Sequence, residues 1–203
     1  MIIKTKYKLC RRLGASLFEK TQTPKYALSE AKKSGNKRLK RRKMLSEYGL
    51  QLIEKQKLRF AYGIREKQLY RYVKESLTKK DANPMDVLFS RLERRLDNVV
   101  YKLGLAPTRA MARQLVSHGH ILLNGKKLSI PSAEVKIGDK ITIRKGSLDK
   151  TMFSDLKEKM ANNISVDWLS FDLKKKEGKV IGNPILGDQE IFDFKSIMEF
   201  YGR

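Results

Sequence analysis

The 203 residues carry 45 Lys and Arg against 22 Asp and Glu, a formal net charge of +23. That length admits one or two small domains with real cores and excludes a large multidomain enzyme. A charge of this size repels itself unless a polyanion neutralises it, which leaves nucleic acid or an anionic membrane surface as the partner. No run of about 18 apolar residues occurs to span a bilayer, and one cysteine, Cys10, with two His supplies neither an internal disulfide nor a zinc ligand set.

The charge is uneven. Residues 1–46 hold 15 Lys and Arg against two acids, residues 91–150 hold 13 against five, and residues 151–203 hold eight against nine. Two segments therefore read as polyanion binders, and the last quarter as one that folds back or meets protein. The first contains Lys32, Lys33, Lys37, Arg38, Lys40, Arg41, Arg42 and Lys43 with few large apolar residues. Such a stretch buries too little surface to fold alone, so residues 1–43 are expected to be ordered by RNA.

In chain order, Ser46 and the run to Tyr62 predict a capped helix, with Leu45, Leu52, Gln56 and Phe60 at helical spacing and Gly63 as its stop. Ile64 to Leu77 predicts a second helix that turns Leu69, Tyr72 and Val73 inward. Asn83-Pro84 opens a third, with Pro at the first helical position. One apolar stripe, Leu88, Leu92, Leu96, Val99 and Leu103, carries it unbroken to Gly104. Arg91, Arg95, Asn98 and Lys102 fall about 100° round from part of that stripe and predict a basic edge. Thr108 is a good N-cap for a fourth helix reaching about Ser117, with Met111, Ala112, Leu115 and Val116 inward and Arg109 and Arg113 one turn apart outward.

Ile121 to Leu123, an Asn124-Gly125 turn of type I′ and Lys126 to Ile130 predict a hairpin, with Ile141 to Arg144 as a further strand. Residues 91–145 thus read as two helices followed by a small antiparallel sheet, a compact α+β unit. Leu148 to Met160 reads as helical, Trp168 to Leu173 and Lys179 to Ile181 as strands, and Ile197 to Tyr201 as a short last helix.

No P-loop or dinucleotide glycine fingerprint is present. His118 and His120 have no nucleophile near them in sequence, and they suit a helix end or a phosphate better than catalysis. No catalytic residue, metal site, cofactor or small-molecule substrate is assigned. Arg109 sits in the first turn of its helix, where backbone N–H groups add to its charge. Arg95, Arg109 and Arg113, with Lys126 across the hairpin, could form one continuous basic face, and Gln114, His118, His120 and Asn124 adjoin it. Lys8, Arg11 and Arg12 near the start and Lys55, Lys57 and Arg59 on the first predicted helix complete the candidate RNA-binding set, together with Arg41, Arg42 and Lys43. A broad basic face with scattered aromatics suits folded RNA met through shape and phosphate, not single-strand stacking.

The stretch RLDNVVYKLGLAPTRAMARQLVSHGHILLNGKKLSIPSAEVKIGDKI, from Arg95 to Ile141, resembles the S-four RNA-binding domain. LSEYGLQLIEKQKLRFAYGIREKQLYRY, from Leu45 to Tyr72, is similar to the helical domain of the bacterial-type S-four family of small-subunit ribosomal proteins. Leu9 to Phe18 and the closing IMEFYGR resemble that family's two ends. The resemblance implies a mainly helical domain built from both ends of the chain, with the S-four domain inserted. The expected divisions are a basic N-terminal extension over 1–44, the first part of the helical domain over 45–90, the S-four domain over 91–151, and 152–203 returning to the helical domain.

The resemblance also implies a ribonucleoprotein role in translation and ribosome assembly. It implies binding of a junction in the 5′ domain of small-subunit ribosomal RNA that nucleates subunit assembly, and an interface with ribosomal protein S-five that affects decoding accuracy. Arg41, Arg42 and Lys43 fall where the family lines the path by which messenger RNA enters. Some members hold zinc with four N-terminal cysteines; only Cys10 matches one here, which implies the zinc-free form on a cytoplasmic or organellar ribosome. The family's Pro-Gly-Gln-His-Gly stretch is replaced by the Lys/Arg run.

Two other readings compete. An RNA-modifying enzyme or RNA-binding regulator that carries an S-four domain would need a further domain of its own, but residues outside 91–150 match the ribosomal family. A polybasic membrane-surface protein would need an amphipathic helix with apolar bulk opposite lysine, which the Lys-rich run lacks.

Overall fold

The computed structural model of the chain describes residues 5–35, 45–79, 82–148, 153, 166–173, 175–187 and 191–202. The fold is α+β, in two compact units, one of residues 1–79 with 189–203 and one of residues 80–188.

The first unit opens with α1 (Lys6–Leu13), a short 3-10 turn (Glu19–Thr21) and α2 (Pro24–Gly35). Over residues 5–35 this departs from the expectation of a segment without structure of its own. Cys10, Leu13 and Phe18 are buried, Thr21 Oγ1 donates to the Phe18 carbonyl at 2.7 Å, and Tyr7 stacks on Tyr26 at 5.5 Å. Cys10, Leu13 and Phe18 thus anchor this basic stretch, although Leu28 is exposed. The run through Lys37 to Lys43 lies outside the described residues.

Next come α3 (Glu47–Tyr62) and α4 (Glu66–Thr78). Ser46 caps α3 by accepting from the Gly49 N–H at 3.2 Å, and Gly63 ends it at φ 63°. The buried face of α3 is Gln51, Lys55, Leu58 and Tyr62. The stripe predicted from sequence is displaced: Leu45 is exposed, and Leu52, Gln56 and Phe60 are half-buried. The cause is the set of contacts that the last helix makes with Gln51 and Lys55, described below.

The second unit begins with α5 (Pro84–Glu93), capped by Asn83 and started by Pro84. It does not run on to Gly104 as predicted. The chain breaks at Arg94 and Arg95, and α6 (Leu96–Lys102) starts afresh. Arg95 is extended, with φ −67° and ψ 136°, and bridges Glu134. The Leu96 and Asp97 N–H groups donate to the carbonyls of Ala133 and Pro131 at 2.9 and 3.0 Å. A loop from far along the chain therefore satisfies the new helix start, and a break among backbone donors costs little when partners are supplied. The apolar spacing survives it, since Leu88, Leu92, Leu96 and Val99 are all fully buried.

Thr108 accepts from the Met111 N–H at 3.1 Å and opens α7 (Arg109–Ser117). Five strands follow: β1 (Ile121–Leu123), β2 (Lys126–Lys127), β3 (Lys140–Ile143), β4 (Leu169–Asp172) and β5 (Glu177–Val180). They form one antiparallel sheet in the order β2-β1-β3-β5-β4. The return strand predicted over Lys126 to Ile130 is only two residues long. Of the helix predicted from Leu148 to Met160, all but Leu148 and Phe153 lies outside the described residues.

The division expected at residue 151 moves. β5 pairs with β3 through Ile141↔Gly178, and Trp168, Leu169 and Val180 enter the same core as Leu103 and Leu115. A Cβ on Gly178 would stand 2.5 Å from Leu103 Cδ1, so glycine lets β5 lie directly on the end of α6. The described residues 166–173 and 175–187 thus stay in the unit of the sheet, and α5 also belongs to this unit.

The chain then returns to the first unit as α8 (Phe194–Gly202), burying Phe194, Ile197 and Met198 against α3 and α4. It brings Glu199 to Gln51, whose Nε2 donates to Glu199 Oε2 at 3.1 Å. Lys55 lies 4.3 Å over the Phe200 ring. These contacts make a polar stripe the buried face of α3.

Candidate nucleic-acid interface

In the second unit, α6 and α7 hold two arginines in the same way. Arg109 Nε donates to Asn98 Oδ1 at 2.8 Å, and its guanidinium lies 4.7 Å over the Tyr101 ring. Arg113 Nε and Nη2 reach Asp97 Oδ2 at 2.8 and 2.6 Å. Both arginines stay partly exposed on α7 while Ala112, Leu115 and Val116 fix its other face in the core. Planar guanidinium groups are suited to phosphate oxygens, and Arg109 also stands at the start of its helix.

Arg95 requires correction. It is 5% exposed and spends Nε and Nη2 on Asp97 at 3.0 and 2.8 Å, a bidentate pair inside the protein. Its extended backbone at the helix break turns it inward. Asn98, placed on the same basic edge, is buried too, with Nδ2 donating to the Glu93 carbonyl at 3.0 Å. Arg95 and Asn98 therefore drop out of the edge predicted for a continuous helix, whereas Arg91 and Lys102 stay partly exposed, as do Arg109 and Arg113 on α7.

Gln114 and His118 are exposed at the end of that helix. His120 is half-buried, with Nδ1 2.9 Å from Ser147 Oγ. Lys126 is exposed on β2. Asn124 serves the turn: at φ 51° it accepts from the Lys140 N–H at 2.9 Å and donates to Asp139 Oδ1 at 2.8 Å.

In the first unit, Lys8 and Arg12 are exposed on α1. Arg11 pairs with Glu30 at 2.6 Å, and that hydrogen bond raises its pKa. The three cations of α3 are all answered by acids: Lys55 by Glu66 at 2.7 Å, Lys57 by Glu54 at 2.6 Å, and Arg59 by Glu66 at 3.7 Å. With a side chain only 8% exposed, Lys55 is part of the packing and not of an outer basic surface. Arg41, Arg42 and Lys43 lie outside the described residues. Among the described residues no group of three or more His, Cys, Asp or Glu could hold a metal ion, and no helix is long and apolar enough to cross a membrane.

Two helices feeding a small antiparallel sheet, with arginines anchored along the second helix, define an RNA-binding protein of the S-four domain class. The model of that class, the S4 domain, matches residues 94–141, and the model of the ribosomal protein S4/S9 N-terminal domain matches residues 2–93. The chain is 41% identical over 202 residues to a protein of Aquifex aeolicus, covering 97% of this chain and 95% of that one. It is 45% identical over 184 residues to a protein of Caldicellulosiruptor bescii, covering 89% and 88%, and 45% identical over 166 residues to one of Roseiflexus, covering 80% of each. All three are named small ribosomal subunit protein uS4, a ribosomal component and not an enzyme. The chain belongs to the bacterial-type S-four family of small-subunit ribosomal proteins.

Proposed function

We propose that the chain is a primary binder of small-subunit ribosomal RNA, seated on the junction of the 5′ domain, where it nucleates subunit assembly. With ribosomal protein S-five it contributes to translational accuracy, and Arg41, Arg42 and Lys43 line the path of incoming messenger RNA. Its place of work is the cytoplasmic or organellar ribosome. The observation that carries the RNA reading is the pair Arg109 and Arg113, one turn apart on α7, each anchored through Nε and partly exposed. The net charge of +23 agrees, since only a polyanion relieves it.

The test is titration of the full chain against a transcript of the small-subunit 5′ domain at several salt concentrations. Removing one phosphate contact shallows the log–log salt slope by roughly 0.7 to 1, and Arg109→Ala and Arg113→Ala should each do so. Leu115→Ala should keep the slope and lose roughly 2–5 kcal/mol of stability through the cavity it leaves. Arginine variants that melt early and bind with an unchanged slope would show those residues to be structural. Chemical probing should find protection confined to one junction.

A further inference from the structure

We propose that Asp97 and Asn98 are positioning residues, which aim Arg113 and Arg109 so that their outer guanidinium edges meet phosphate as a pair. This rests on the reading of α7 as a phosphate-binding helix. Neighbours in sequence on α6, Asp97 and Asn98 each take the Nε of one arginine, and these arginines are neighbours on one face of α7, about 6 Å apart along its axis. Nε sits on the inner edge of the planar fork. A fork held there is fixed in direction, and its Nη1 edge points away from the anchor.

The anchors are themselves fixed. Asp97 has a side chain 3% exposed and is clamped from its other side by Arg95, through both carboxylate oxygens. Asn98 is 1% exposed, and its Nδ2 donates to the Glu93 carbonyl, which forces Oδ1 to face Arg109. Tyr101, on the same face of α6, supports the Arg109 guanidinium from beneath.

The Arg113 side chain remains 24% exposed. A buried ion pair is seldom an economical source of stability, because apolar residues of like volume do as well or better. A carboxylate buried between two arginines, one internal and one at the surface, is accounted for by direction: Arg95 holds Asp97, and Asp97 holds Arg113.

The test compares lysine with alanine, using the full chain and the 5′-domain transcript. Arg109→Lys and Arg113→Lys keep the charge, but an ammonium cannot hold the anchor at Nε while presenting a fork outward. Each should lose about tenfold in affinity, the worth of one charge-assisted bond, with the salt slope unchanged. Asn98→Ala should lose a similar factor, and adding it to Arg109→Ala should cost nothing more, because Asn98 acts through Arg109. If the alanine variants shallow the slope while the lysine variants bind as tightly as the parent, the charges bind without being aimed. That result overturns the proposal and leaves the phosphate-binding helix standing. Alanine variants with unchanged slopes overturn the helix assignment itself. Losses from Asn98→Ala and Arg109→Ala that add show Asn98 acting elsewhere and also overturn it. Should Asn98→Ala fail to fold, the lysine variants decide alone.

Discussion

Lys55 Nζ lies 2.7 Å from Glu66 Oε1, and Tyr201 donates its hydroxyl to that same oxygen at 2.6 Å, so α3, α4 and α8 meet at one carboxylate. The ammonium also faces the Phe200 ring at 4.3 Å and the Tyr201 ring at 5.6 Å. The last helix thus docks through a charge as well as through Ile197 and Met198.

That geometry predicts an asymmetry between the two partners. Glu66→Gln leaves the enclosed Lys55 ammonium without its counter-charge and should cost about 1–3 kcal/mol, toward the lower end because Glu66 is partly exposed to water. Lys55→Met keeps the apolar stem on Phe200 and removes the enclosed charge, so it should cost about 1 kcal/mol or less. Urea unfolding of the two variants measures the order; a costlier Lys55→Met would show the cation–aromatic contact to be the stronger one.

The same cluster gives the first unit a pH dependence with two edges. Burial opposes ionisation of Glu66, but hydrogen bonds from Lys55 and Tyr201 and the charges of Lys55 and Arg59 outweigh it, so its pKa falls below the ordinary value. A depressed folded pKa contributes stability above the unfolded value of about 4.3, and that stability is lost as pH falls. Burial, then the Glu66 acceptor, pushes Tyr201 upward. A raised folded pKa contributes fully below the unfolded value near 10 and is lost as pH rises through the folded one. Thermal melting across this range should show the parent's advantage over Glu66→Gln shrinking below about pH 4. Its advantage over Tyr201→Phe should shrink above about pH 10.

Gly178→Ala should destabilise the second unit by about 1–3 kcal/mol, since the new methyl meets Leu103 Cδ1 at 2.5 Å. Leu103→Ala alone opens a cavity and should cost about 2–5 kcal/mol. Combined, the two should cost less than their sum, a coupling that a double-mutant cycle reads directly. Simple additivity would mean that β5 does not rest on α6.

Full-length protein purified without a histidine tag should hold less than stoichiometric zinc, because Cys10 is the single cysteine. Metal analysis checks this, and one tightly held zinc per chain would contradict it.

Much of the fold was legible because its signals are local. Ser46, Asn83 and Thr108 each cap the helix expected of them, and Asn124-Gly125 forms the positive-φ turn. The apolar spacing of Leu88, Leu92, Leu96 and Val99 marked core residues correctly even where the helix through them is broken. Arg109 and Arg113 could be placed on the outer face of α7 because Leu115 and Val116 defined the inner one.

What the chain by itself determined, then, was composition, caps, turns and which side of each helix is apolar, all set by residues within a turn or two of one another. Its motifs also sufficed to point to the family. Tertiary structure alone decided where α5 ends, because the carbonyls of Pro131 and Ala133 that receive the new helix start come from over thirty residues away. It decided that Arg95 turns inward to Asp97 while Arg113, sixteen residues on, shares the same carboxylate from the surface. It made Lys55 an interior cation, because Glu66, Phe200 and Tyr201 arrive from two other helices. A charged side chain reads the same in sequence whether it meets water or a buried partner; the packing of distant segments settles which, through the cost of leaving a charge unanswered.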